Sequence, residues 1–196
     1  MCIRDSDEAL KIFKEVEETK LNELGPTHRG YLATKHEIAN CLKQMGRYDE
    51  ALKIFKEVEE TELNELGPTH RDYLVTKHEI ANCLNEIGRY DEALKIFKEV
   101  EETKLNKLGP THRDYLVTKH EIADCLKQMG RYDEALKIFK EVEETKLNEF
   151  GSTHRDYLVT KHEIADCLNE IGRYDEALKI FKEVEETKLN LSLIHI

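Results

Sequence analysis

The chain has 196 residues, 36% of them charged, a net charge of −11 at pH 7, three prolines and no tryptophan. The acidic balance argues against phosphate backbones as partners, and no apolar run approaches the roughly 20 residues needed to cross a bilayer. Leu, Ala, Glu and Lys dominate, which reads as all-helical, and no secretory leader is visible.

The first six residues, MCIRDS, match nothing that follows, and neither do the last six, LSLIHI. Back-translated, the two hexapeptides are reverse complements of one DNA sequence, resembling the mosaic-end adapter of transposase-based sequencing libraries. Met1–Ser6 and Leu191–Ile196 are therefore expected to be adapter scars flanking a repeat array over 7–190.

The array opens at Asp7 with DEALKIF, which returns at Asp49, Asp91, Asp133 and Asp175, a step of 42 residues repeated about four and a half times. The segment from Asp49 to Leu66 shows the first element, helix B. Ala51, Leu52, Phe55 and Val58 recur at three- and four-residue spacing, with Asp49 and Glu50 placed to favour the first turn. Leu63 and Leu66 are expected to extend the apolar stripe, and Gly67-Pro68 to stop the helix. Thr69 and Asp72 then read as a capping box variant. The same pair recurs at Thr111/Asp114 and Thr153/Asp156, while Gly30 replaces the acid in the first copy and should weaken that start. Helix A follows to about Ile87, with Tyr73, Ile80, Ala81, Leu84 and Ile87 as its apolar face. Gly88 ends it, and Arg89-Tyr90 leads into the next helix B.

Two helices joined by a short turn make a hairpin, and stacked hairpins make an all-α solenoid. The residues now resemble the tetratricopeptide repeats. Ile80-Ala81 and Leu84 stand for the Leu-Gly and Tyr of the family's first helix. Ala93 and Phe97 match its Ala-x3-Phe, 12 residues after Ala81. Lys77 replaces a large apolar residue, a departure expected to loosen one packing position. The 42-residue period, with Leu-Gly-Pro-Thr-His before helix A, is similar to the kinesin-light-chain type. The resemblance implies a right-handed superhelical array of antiparallel hairpins whose helix A lines a concave side.

A second period overlies the first. Lys43-Gln44-Met45 returns at Lys127-Gln128-Met129, and Asn85-Glu86-Ile87 at Asn169-Glu170-Ile171. Doubling of an 84-residue pair accounts for this, as does an assembly error from near-identical reads. Charge alternates too. Residues 49–90 carry 5 basic against 10 acidic groups and residues 133–174 carry 6 against 10, whereas residues 7–48 and 91–132 balance.

Little suggests chemistry. His78 and Cys83 are five apart and diverge on a helix, so no metal site is expected. Cys41, Cys83, Cys125 and Cys167 recur once per unit as small packed thiols, which suits a reducing, cytoplasmic setting. No nucleophile–base pair, phosphate loop or carboxylate dyad is present, so no catalytic residue, enzyme activity or cofactor is expected.

A surface remains. Val75, His78, Asn82 and Asn85 lie at i, i+3, i+7 and i+10 on helix A. Repetition yields a ladder of His36, His78, His120 and His162. Two more consist of Asn40, Asn82, Asp124 and Asp166, and of Lys43, Asn85, Lys127 and Asn169, beside Val75, Val117 and Val159. Ordinary solvation of a helix face is the simpler account of such residues. The recurrence of His favours a groove that binds a protein or peptide segment. Relatives that bind acidic chaperone tails use a Lys/Asn carboxylate clamp. Here His78 and the aspartates depart from it, so the C-terminal half should prefer neutral or cationic segments. Cationic peptides should bind less well below about pH 6.5 as imidazoles charge.

The expected function is thus a cytoplasmic scaffold or adaptor, with no nucleic acid or membrane partner. The alternatives are a structural array that self-associates end to end, or the regulatory arm of a larger enzyme or nucleotide-binding switch.

Overall fold

The structure, a computed structural model, describes residues 3–194, with side chains over 7–192. Of the two hexapeptides, Met1, Cys2, His195 and Ile196 lie outside the described residues. Nine helices and no strand are present among the described residues: α1 (Ile3–Leu24), α2 (Arg29–Gln44), α3 (Tyr48–Leu66), α4 (Arg71–Glu86), α5 (Tyr90–Leu108), α6 (Arg113–Gln128), α7 (Tyr132–Phe150), α8 (Arg155–Glu170) and α9 (Tyr174–Ile194). They form two compact units, residues 1–96 and 97–196, the division falling within α5. In the first, α1 packs on α2, α2 on α3 and α3 on α4; in the second, α6 packs on α7, α7 on α8 and α8 on α9. Connections of three or four residues make neighbours antiparallel. Each unit is a short solenoid of stacked helical hairpins.

The 3.6-residue period dictates what is buried. In the first unit Ala39, Ala51, Phe55, Val58 and Ala81 are fully enclosed, and in the second Ala123, Ala135, Phe139, Val142 and Ala165 are. Alanine lets the two helices of a hairpin approach closely, and phenylalanine fills the space one turn on.

The even-numbered helices start differently from expectation. The N-cap of α4 is His70, not Thr69, and its Nδ1 accepts from the Asp72 backbone N–H at 3.2 Å. His28, His112 and His154 do the same for the amides of Gly30, Asp114 and Asp156. An N-cap side chain reaches the second or third helical amide, and with Arg71 as the first helical residue His70 holds the N-cap position. Gly30 leaves α2 with no acid in its first turn, but the His28 cap and the 16-residue length are retained.

The turn from α2 to α3 closes through Gly46, at φ 73°, with Arg47 N donating to Leu42 O at 2.9 Å. Gly67, after α3, has φ 84° and ψ 167°. That lies outside the left-handed helical region, in a zone occupied essentially by glycine.

Leu63 and Leu66 do not extend the buried stripe; each is 40% exposed. Glu62, seven residues past Phe55, takes the buried place, as Lys104 and Lys146 do in the second unit. Seven residues are close to two full turns, which returns Glu62 under Phe55 and turns Leu63 away. The expected loosening at Lys77 is also absent. Its Nζ lies 5.6 Å from the Tyr73 ring centroid, and its counterparts sit on Tyr31, Tyr115 and Tyr157. Lys35 and Lys119 also reach Glu57 and Glu141 at 2.5 and 2.6 Å. The lysine stem covers the tyrosine and the ammonium ties one helix of the hairpin to the other.

Replacing His70 by Ala is expected to cost about 1 kcal/mol, as for other lost N-caps, while His70→Asn keeps most of it. Urea denaturation of the full chain followed by circular dichroism measures both.

Candidate interaction face of the inner helices

The even-numbered helices are the helix A of each repeat, called the inner helices below, and the odd-numbered ones the outer helices; in the first unit α2 supplies His36, Asn40 and Lys43, and α4 supplies Val75, His78, Asn82 and Asn85. In the second, α6 supplies Val117, His120, Asp124 and Lys127, and α8 supplies Val159, His162, Asp166 and Asn169. The helical spacing puts each set on one face of its helix, as expected. Val75, Val117 and Val159 are 37–40% exposed.

The histidines sit deeper than an open ladder requires. His36, His120 and His162 pack edge-on against Phe55, Phe139 and Phe181, with ring centroids 5.0–5.1 Å apart, and His78 is buried. His36 and His120 are half-buried against these rings, whereas His162 keeps about half of its side chain in solvent. Burial pushes the His120 pKa down to about 4, helped by the Lys146 and Lys127 charges and opposed by Asp156. Burial also lowers His36. The expected charging near pH 6.5 therefore does not hold for His36 and His120.

The polar residues are engaged with one another. Asn40 Nδ2 lies 3.2 Å from His36 Nδ1, and Asn82 Nδ2 donates to Glu79 Oε2 at 3.4 Å. Lys127 pairs with Asp124 at 3.3 Å, and His162 lies 4.0 Å from Asp166. Lys43 on α2 forms an ion pair with Glu79 on α4, and Lys127 on α6 with Glu163 on α8. Burial opposes the charge on Glu79, but the Lys43 hydrogen bond and charge hold its pKa below the usual carboxylate value. Burial likewise opposes Lys127, and Glu163 with Asp124 raises it above an ordinary lysine. At the Lys43 position α4 carries Asn85, whose Oδ1 is buried without a partner, and α8 carries Asn169, which is exposed.

Glu79 and Glu163 were missed by sequence reasoning because each reads as one more acid beside a histidine. The signal available was the 36-residue offset from Lys43 and Lys127, one period less six residues. This carries a lysine near the end of one inner helix to the middle of the next.

Among the described residues no three His, Cys, Asp or Glu side chains are grouped to hold a metal ion. The four repeat cysteines form no disulfide and are buried, and burial pushes the Cys83 and Cys167 thiols up to about 11, far from a reactive thiolate. No described helix is long and apolar enough to cross a membrane.

The depressed His120 value fixes a direction for pH dependence. An unfolded imidazole titrates near 6.5, above the folded value, so the unfolded chain binds more protons in between. The stability from neutral His120 is complete above about pH 6.5 and is lost as pH falls toward 4. Between pH 7 and 4.5 the native chain is expected to lose on the order of 2 kcal/mol through this group. His120→Gln should show a correspondingly shallower slope in denaturation midpoints across that range, whatever its stability at pH 7.

The tetratricopeptide-repeat family model matches residues 2–61, 31–106, 72–147 and 114–189. Two crystal structures of a putative kinesin light chain with nearly identical TPR-like repeats, from Podosopora anserina, superpose with TM-scores of 0.82 and 0.79. They are 23% and 24% identical, over 95% of this chain and 88% of theirs. BtubC (BKLC) from P. vanneervenii gives a TM-score of 0.82 at 13% identity, over 96% of this chain and 75% of its own. No curated protein matches the chain. With the family model spanning nearly all of the array, the chain belongs to the tetratricopeptide-repeat family.

Proposed function

We propose that the chain is a non-enzymatic interaction scaffold whose inner-helix faces hold an extended protein segment. Proteins of this family generally act as protein-interaction scaffolds. The observation that carries the finer reading is the exposure of Val75, Val117 and Val159. A β-branched residue in a helix costs a few tenths of a kcal/mol relative to alanine. These valines leave more than a third of their surface in solvent at the same place in three successive repeats, an apolar spot on an otherwise polar face. Around them Lys43 with Glu79 and Lys127 with Glu163 and Asp124 are already paired, so that part of the face is ordered before a ligand arrives, which lowers the entropic cost of binding. Asp124 and Asp166 favour a neutral or cationic segment in the second unit. The buried reduced cysteines suit the cytoplasm.

A second reading, self-association, is favoured by α9, where Tyr174, Leu178 and Leu189 are 65%, 53% and 59% exposed.

A displayed random-peptide selection on the full chain tests the proposal, run beside a chain with Val75, Val117 and Val159 changed to Gln and checked for helicity. Enriched peptides should bind the changed chain at least ~10-fold more weakly, about 1.4 kcal/mol. If no peptides enrich, or if the same ones bind both chains equally, the scaffold reading fails. A mass that rises with concentration in sedimentation then supports self-association.

A further inference from the structure

Lys20, Lys104 and Lys146 stand at one position of the repeat, and Glu62 stands at that position in between. Each lysine does the same thing. Lys20 Nζ donates to Thr34 Oγ1 at 2.9 Å and to Gly30 O at 3.2 Å. Lys104 donates to Thr118 Oγ1 at 2.8 Å and Asp114 O at 3.3 Å, and Lys146 to Thr160 Oγ1 at 2.9 Å and Asp156 O at 3.2 Å. The seat formed by a threonine hydroxyl and a carbonyl one turn earlier is thus built for an ammonium group.

On α4 the corresponding residues, Thr76 and Asp72, are present, but Glu62 brings a carboxylate where the ammonium belongs. Glu62 is 6% exposed and Thr76 fully buried. Glu62 Oε2 and Thr76 Oγ1 are both without a hydrogen-bond partner. Burial raises the Glu62 pKa, and the neighbouring Thr76 hydroxyl only partly offsets this, its position not being that of a hydrogen bond. A third buried polar atom without a partner, Nε2 of His36, belongs to a residue lining the same pocket. Buried polar groups in native proteins are overwhelmingly paired, so three together point to a missing ligand.

These residues line an open pocket of about 280 Å³ inside the first unit. Its walls include Leu32, Leu66 and Val75, which are apolar, with Glu62 and Thr76 as the polar end. At the mouth Arg29 is held on Asp72 at 3.1 Å, so its positive charge is matched. The volume is below the usual range for a whole small-molecule ligand but suits one long side chain.

We propose that this pocket receives a lysine side chain from the bound protein segment, its ammonium seated between Glu62 and Thr76 and its methylene stem along Leu32 and Val75. The ligand supplies from outside the group that Lys20, Lys104 and Lys146 supply from within. A salt bridge with a hydroxyl contact satisfies both orphaned oxygens. With Asn40 Nδ2 against His36 Nδ1, the proton of that ring lies on Nε2 and is available to a carbonyl of the segment. The inference rests on the scaffold reading, since Val75 and His36 belong to the same face.

The test is a titration of the full chain with Nα-acetyl-lysine methylamide, followed by amide chemical shifts. The probe is expected to perturb the amides around Thr76, while the uncharged Nα-acetyl-norleucine methylamide does not. Glu62→Gln should weaken the lysine probe at least tenfold. Glu62→Lys should abolish its binding and raise the thermal midpoint, because the internal ammonium then occupies the seat; the raised midpoint also shows that this variant folds. Equal response to the two probes, or lysine binding that survives Glu62→Lys, overturns the proposal. A Glu62-dependent lysine response alongside an empty peptide selection retains the pocket and sinks the scaffold reading. Selected peptides that bind regardless of Glu62 and of their own lysines do the reverse.

Discussion

The hairpins of this protein depend on small residues where neighbouring helices pack, because a side chain no larger than alanine lets two helix axes approach. Ala39 on α2, Ala51 on α3, Ala123 on α6 and Ala135 on α7 have no exposed surface. A larger residue at any of these places would push the helices apart and open space around Phe55 or Phe139. Once the seam is set, the side chains farther along each helix have little freedom. The histidines must tuck against the phenylalanines, and position 62 and its counterparts must point inward. The groups at the helix ends are then left to reach across to the next inner helix.

The parts of the fold that follow from period and punctuation were legible in the sequence. The apolar spacing gave the helices, the glycines their ends, and the 42-residue step the stack of hairpins. What was not legible depends on register at the level of single side chains. Thr69 fits a capping rule, but the helix begins two residues later, so His70 takes the role. Leu63 and Leu66 fit an apolar stripe, but a stripe continues inward only where a partner helix covers it, and the charged residue beside them takes the covered position. On the helix A face the spacing sets which side chains share one side of a helix. It did not reveal that His36 and His120 are half-buried against aromatic rings, or that Glu79 and Glu163 complete the ion pairs, because both facts concern contacts between elements rather than the pattern within one.

The alternation between neighbouring repeats has a physical content beyond its origin. Lys43 and Lys127 each tie one inner helix to the next through an acid, whereas Asn85 at the same repeat position carries no charge and leaves its carbonyl oxygen unmet. Position 62 shows the same logic on the outer helices, one residue breaking a pattern that its counterparts keep. In a protein whose copies are nearly identical, such departures are where individual repeats acquire separate character. Both involve a change of charge at a buried or half-buried place, where electrostatic effects are largest.

The sameness of the remaining seams has a consequence for how order is encoded. Lys104 on Thr118 and Lys146 on Thr160 are the same contact with the same partners, as are the aromatic packings of His36 and His120. Shape and chemistry therefore do not tell an outer helix which inner helix is its own. That information resides in the three- and four-residue connections, which keep the adjacent helix at an effective concentration no other copy can match. Sequence order is remembered by tethering rather than by recognition. A nick in one connection would leave every contact intact while making that helix exchangeable with its counterpart from another molecule.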